Sequence, residues 1–243
     1  SLGMAIGFWV LFSGRTRLRL TLRNFRLDLN IIWRQVKISI PASIMNMQRA
    51  FGNLLLTWFM AHFGTLAVGG HGLAQRVEML LVMPTQAMGT GAGVLVGQNL
   101  GAKQPERAER SGWLAAGFAE AFMVICAVVT LVWAESIASI FTSEPDLVEI
   151  TSNFLMIAAV GYLVQGLNGI LQNCISGAGD TLPPMVISLV VVWVLQLPLA
   201  FLLSRVTGLG MYGVRWAIVA GVVVGAVVYI TYFRWGKWKR KKV

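Results

Sequence analysis

The sequence predicts an all-α polytopic membrane helix bundle, with six complete transmembrane helices plus the end of a preceding one. Three observations predict it. Hydrophobic residues make up 56% of the 243 positions and charged residues only 12%, where a soluble domain carries about 25% charged. Apolar stretches near the ~20 residues that cross a bilayer core recur along the chain between short links. The cations cluster on alternate links, the asymmetry that fixes membrane orientation.

Residues 1–13 read as the end of a truncated transmembrane helix. The apolar run Leu2 to Phe12 is too short to span, and it lacks the charged n-region and cleavage site of a signal peptide. The chain is therefore expected to be a fragment. Residues 14–37 form a basic connector, with Arg15, Arg17, Arg19, Arg23, Arg26, Arg34 and Lys37 against Asp28. Its Leu and Phe residues suit a stretch of amphipathic helix along the cytoplasmic surface.

Residues 38–233 hold the bundle. The first span runs from Ile38 to Ala61, with Pro41 expected in its first turn, where a missing N–H costs nothing. Asn46, Arg49 and Asn53 follow at spacings of three and four and share a face. After a short link at His62 to Thr65, the second span, Leu66 to Val96, carries His71, Gln75 and Glu78 on one face and Arg76 on another. Arg49 and Glu78 each lie about twelve residues from the link, roughly 18 Å deep at 1.5 Å per residue. An Arg49–Glu78 pair near the midplane is therefore expected, with Arg76 as the other candidate charge partner. A charged loop follows at Gln98 to Arg110. The third span, Ser111 to Trp133, contains Glu120; an acidic link follows it. The fourth, Phe154 to Ile175, puts Gln165, Asn168 and Gln172 on one face. A tight GAGDTLPP link leads to the fifth, Met185 to Leu203, and the sixth runs from Met211 to Phe233. Residues 234–243 are a basic cytoplasmic tail whose Trp235 and Trp238 suit an interfacial belt. With the connector inside, 16 of the 20 Lys and Arg fall at one face; Arg49, Arg76, Arg205 and Arg215 are the exceptions.

Charge inside a span costs several kcal/mol, roughly 2.5–3.5 on insertion scales, so an acid kept there marks a pathway or coupling site. Glu78 is the candidate for ion coupling or for the counter-charge to a substrate. Asn46, Asn53, Gln75, Glu120, Gln165, Asn168 and Gln172 are candidates for a polar cavity lining; the plainer alternative is hydrogen bonding between helices. Pro84, Gly89, Gly91 and Pro198 are candidate hinges or kinks, with close helix packing as the alternative for the glycines. The run GTGAG lacks the G-K-[ST] ending of a phosphate loop. Cys126 and Cys174 sit within spans as small packing residues, with no ligands nearby for a metal. No catalytic constellation appears: two histidines and no acidic pair within a span argue against an intramembrane enzyme. The net charge of +10 belongs to membrane-flanking loops, so no nucleic acid is expected as a partner.

The run GLAQRVEMLLVMPTQAMGTGAGVLVGQNLGAKQPERAER resembles the C-terminal half of multidrug and toxic compound extrusion (MATE) transporters. The resemblance rests on the pattern of Arg76, Glu78, Leu80 and Pro84, on VGQNLGA at Val96 to Ala102, and on SGAGDT at Ser176 to Thr181 with prolines after it. It extends in order over nearly the whole chain. It implies a twelve-helix secondary antiporter of which this chain is one half, with an N-terminal half as partner in the bilayer. It implies export of organic cations or other xenobiotics in exchange for protons or sodium ions, without a cofactor, across a bacterial inner membrane. The family's second-half acid maps onto Glu78. The polar span at Gln165, Asn168 and Gln172 lacks the further acid found in some members, which leaves the coupling ion open. The alternatives are a lipid-linked intermediate flippase of the same fold class and a non-transporting membrane assembly subunit.

Overall fold

The computed structural model describes Trp9 and residues 28–240. The expected truncated helix, and the connector as far as Leu27, lie outside the described residues apart from Trp9. The chain falls into two units, residues 1–39 and 40–243. In the first, Asp28 Oδ1 accepts the Asn30 N–H at 2.9 Å as helix α1 begins.

The helices are α1, Leu29–Ala61, α2, Thr65–Gly101, α3, Pro105–Ser139, and α4, Pro145–Gly177. They are followed by α5, Leu182–Arg205, and α6, Met211–Trp235; no strand occurs among the described residues. The last five are long and apolar enough to cross a membrane. Helix α1 has the length, at 33 residues, but Asn46, Gln48, Arg49 and Asn53 interrupt its apolar run. The expected six spans thus become five by apolarity plus one polar-lined helix.

Helix ends run past the predicted spans. Pro41 lies well inside α1 rather than in its first turn. Residues 29–37 join the helix because their backbone gains hydrogen bonds at no packing cost, and Pro41 simply withholds one donor. The expected loop from Gln98 to Arg110 shrinks to Ala102–Gln104, for polar residues outside the bilayer are as free to be helical as apolar ones inside. Upstream of Pro198 the helix takes a π-helical turn over Val190–Gln196. With no N–H at Pro198, carbonyls upstream need other donors; the Leu197 N–H reaches Val192 O, one residue further than in an α-helix. Helix α2 continues unbroken through Pro84, Gly89 and Gly91. A break unforeseen in the sequence occurs at Trp133 in α3 (φ −120°, ψ 24°).

Helix α4 is the hub, packing against α2, α3 and α6. Large α4 side chains such as Phe154, Ile170 and Leu171 are buried against facing helices that carry small residues, Ala92, Ala116, Ala119 and Ala127 among them, while Leu114, Phe118, Ile125, Val128 and Val132 of α3 are exposed. This is the distribution lipid favours, since tails solvate leucine as well as a core does and helices associate through close backbone approach. Gly89, Gly93 and Gly97 form a small-residue row on α2 that meets Asn173 and Gly177 of α4. This explains the first glycine of VGQNLGA, Gly97. The SGAGDT motif is the turn that ends α4: Gly179 takes φ +79°, and the buried Asp180 accepts the Tyr232 hydroxyl of α6 at 2.7 Å.

The tail departs from expectation. Gly236, at φ +70°, caps α6 in a left-handed conformation and turns the chain back. Trp238 is consequently buried, stacked on Phe233 at 4.6 Å, with its Nε1–H donated to Phe233 O. Only Trp235 remains exposed as an interfacial residue would be. Lys239 Nζ reaches Glu109 Oε2 at 2.5 Å. Both partners are about a quarter exposed (26% and 30%), so Lys239→Met should lower stability by no more than about 1 kcal/mol. A thermal melt of the detergent-solubilised protein checks this; a larger loss would mean that the ion pair, and not Trp238, holds the tail.

Candidate functional site

Two adjoining cavities open within the second unit. The larger, of about 430 Å³, is bounded by Arg49 and Asn53 of α1, Gln165 and Gln172 of α4, the π-helical turn of α5, and Gly221 to Tyr229 of α6. The smaller, of about 140 Å³, holds Glu78, Tyr162 and Arg215. Val82, Gln165 and Val222 line both, so the two spaces share a wall.

Glu78 faces the smaller cavity with its side chain 23% exposed and forms an ion pair with Arg215 of α6, itself 2% exposed. Arg215 also donates to Phe154 O at 3.3 Å and sits 5.5 Å above the Phe154 ring. Its Nη1 lies 3.4 Å from His71 Nδ1. A guanidinium has only donors, so Nδ1 accepts and the imidazole proton sits on Nε2. That Nε2, the Tyr162 hydroxyl and Gln165 Oε1 have no partner among the described residues.

The expected Arg49–Glu78 pair does not form. Arg49 Nη2 instead donates to Gln172 Oε1 at 2.7 Å. Counting turns fixes depth but not rotation, and the arc of α1 that carries Arg49 faces α4 rather than α2. Arg76 does not pair with Glu78 either; two positions along a helix is about 200° of rotation, and its side chain is exposed. The missed partner, Arg215, was legible as an isolated cation five positions into an apolar span, which needs an acid to sit there at all.

Of the expected lining residues, Asn53, Gln165, Asn168 and Gln172 reach the larger cavity, where Asn168 Nδ2 donates to Val222 O at 3.3 Å. Asn46 is exposed one turn before Arg49 and lines neither cavity; Gln48 lines the wall instead. Gln75 is half-buried and also lines neither. Glu120 turns from the cavities into the α3–α4 contact, where its Oε2 accepts the Leu167 N–H at 3.0 Å. The closeness of that contact explains it: at Gly166 a Cβ would meet the Glu120 carboxylate at 2.7 Å. No cluster of metal ligands occurs among the described residues.

The family model described as MatE matches residues 41–202. Among curated proteins, the chain is 26% identical over 211 residues to a probable multidrug resistance protein NorM of Thermotoga maritima, covering 86% of this chain and 45% of that one. It is 30% identical over 182 residues to a NorM of Deinococcus radiodurans, covering 73% of this chain and 40% of that one. The chain thus spans about half the length of the curated relatives it matches. Among solved structures, an outward-facing multidrug resistance MATE family transporter of the MOP superfamily superposes with a TM-score of 0.87 at 22% identity, covering 96% of this chain and 52% of the other. A MOP superfamily transporter from Pyrococcus furiosus, described as having a binding pocket of reversed polarity, superposes with a TM-score of 0.90 at 20% identity, covering 98% and 54%. These structures share the fold. The family match across more than half of the chain, on a bundle of membrane-length helices packed around two adjoining cavities, shows that the chain belongs to the MatE family.

Proposed function

We propose that this chain is the C-terminal half of a secondary exporter that moves small organic molecules against proton or sodium entry, its N-terminal half supplying the facing wall. The observation that carries the reading is the shared wall: the Glu78–Arg215 pair lies beside the larger cavity with only Val82, Gln165 and Val222 between. A proton or sodium ion arriving at Glu78 competes with Arg215 for the carboxylate. The freed guanidinium then seeks new acceptors, and Gln165 Oε1 and the Tyr162 hydroxyl stand unpartnered in the same space. An ion that binds one arrangement of these groups better than another shifts the balance between inward and outward states by that difference in affinity. Two repeats rocking about a site near the midplane is the general form such transport takes. The charge bias of the sequence supports a cytoplasmic connector and tail, and the bacterial source of the relatives supports a bacterial inner membrane.

The test is transport in everted vesicles bearing the natively encoded protein. A pH jump and a sodium jump are imposed separately, and uptake of dyes of opposite charge is followed. One of the two jumps should drive uptake; if neither moves any dye, the exporter reading fails and an assembly role takes its place. Competition by a lipid-linked sugar against the dyes would favour the flippase alternative. The expectation of cationic cargo has the least support, because the larger cavity offers a cation no carboxylate.

A further inference from the structure

We infer that the larger cavity recognises an anionic group on its ligand, a carboxylate or phosphate, through Arg49. The inference rests on the transporter reading above and names its substrate class. Among the described residues, Arg49 is the one formal charge in the cavity lining; the other polar groups are amides and hydroxyls. The adjoining cavity contributes Glu78 and Arg215, which neutralise each other. Together the two spaces present two guanidiniums and one carboxylate, leaving one positive charge without a counter-charge in these walls. A cationic ligand would be repelled from it, and an anion would complete it.

Arg49 is also held in place. Its Nη2 donates to Gln172 Oε1, and Gln172, only 8% exposed, is anchored at its other end by Nε2 against Met45 Sδ at 3.1 Å. One corner of the guanidinium is thereby fixed, and the remaining donors are free for the planar, two-point recognition of an oxyanion that arginine makes well. A second observation points to a polar ligand group at the same wall. Gln48, 5% exposed, lines this cavity with neither its Nε2 nor its Oε1 partnered among the described residues. A buried amide without partners is costly, and a ligand that draws Gln48 toward the cavity relieves that cost. Leu56, Val191 and Val192 supply apolar wall beside it, so the ligand is an amphiphile with an anionic head.

The test is equilibrium binding to the natively encoded protein in nanodiscs of zwitterionic lipid, with carboxyfluorescein as anion and ethidium as cation. Carboxyfluorescein should bind saturably. Arg49→Gln should weaken it about tenfold or more, the loss of one charge-assisted contact, without weakening ethidium. Arg49→Lys, which keeps the charge but not the fork, should fall between. Loss of carboxyfluorescein binding in discs containing phosphatidylglycerol would identify a lipid headgroup as the source of the anion; retention would identify a free organic anion. Ethidium binding without carboxyfluorescein binding overturns the inference, as does binding of neither dye or an unchanged affinity in Arg49→Gln. Because no gradient is imposed, these results stand apart from the vesicle experiment, on which the exporter reading itself depends.

Discussion

Glu78→Gln is expected to cost the protein about 3–5 kcal/mol of stability as well as its ion-driven transport. The sequence pairs Glu78 with Arg49, a side chain that the structure leaves exposed and so able to keep its charge without an acid. The structure changes that expectation. Arg215 is 2% exposed, and its charge is balanced by Glu78, with the Phe154 carbonyl and ring as lesser partners. Breaking a buried pair by removing one member strands the other, and the stranded charge sets the cost. The single variant should therefore melt earlier in detergent, by on the order of 10 °C for a chain of this size. The double variant Glu78→Gln, Arg215→Met separates the two roles. Replacing both charges by groups of similar volume is often neutral, so the double variant should recover the melting temperature yet remain unable to couple a proton or sodium gradient to efflux. A single variant that melts like the parent would show that Arg215 is neutralised elsewhere. A double variant that still couples would remove Glu78 from the mechanism.

How much of this was legible follows from what each residue type constrains. Depth was legible. Runs of apolar residues bounded by Arg15 to Lys37, by Lys103 to Arg110 and by the tail gave the order and approximate position of the helices among the described residues. Glu78 stood out because an acid in such a run has to be explained. Rotation was not legible: each residue turns the side chain by about 100°, so assigning Arg49 to Glu78 required an angle that turn counting does not supply. Helix ends were equally hidden, since hydrophobicity reports where lipid stops, whereas backbone hydrogen bonding decides where a helix stops. Trp238 misled for a related reason. An aromatic residue in a basic tail reads as interfacial until a left-handed Gly236 turns it back onto Phe233. Gln48 escaped notice beside Arg49 because a buried amide with no partner is recognised only once its neighbours are placed.

Gly93→Ala is the second large expected effect, and Gly91→Ala is its control. Both glycines lie in the same unbroken stretch of α2, and both substitutions raise helix propensity by the same amount, roughly 1 kcal/mol. They differ in what an added methyl meets. At Gly93 a Cβ would stand 2.8 Å from the backbone oxygen of Asn173 and 3.4 Å from its carbonyl carbon. At Gly91 nothing lies within 4 Å. A backbone carbonyl cannot swing aside as a side chain can, so α2 and α4 must separate along the row of Gly89, Gly93 and Gly97. Overpacking of this kind costs about 1–3 kcal/mol. It also opens the interface on which α2 holds Glu78 toward Arg215. Gly91→Ala should thus be neutral or slightly stabilising. Gly93→Ala should lower the melting temperature and weaken transport together, with Gly93→Leu worse than Gly93→Ala. If instead Gly91→Ala impairs transport at unchanged stability while Gly93→Ala is tolerated, the glycines serve as a hinge in α2 and the close approach to α4 is incidental.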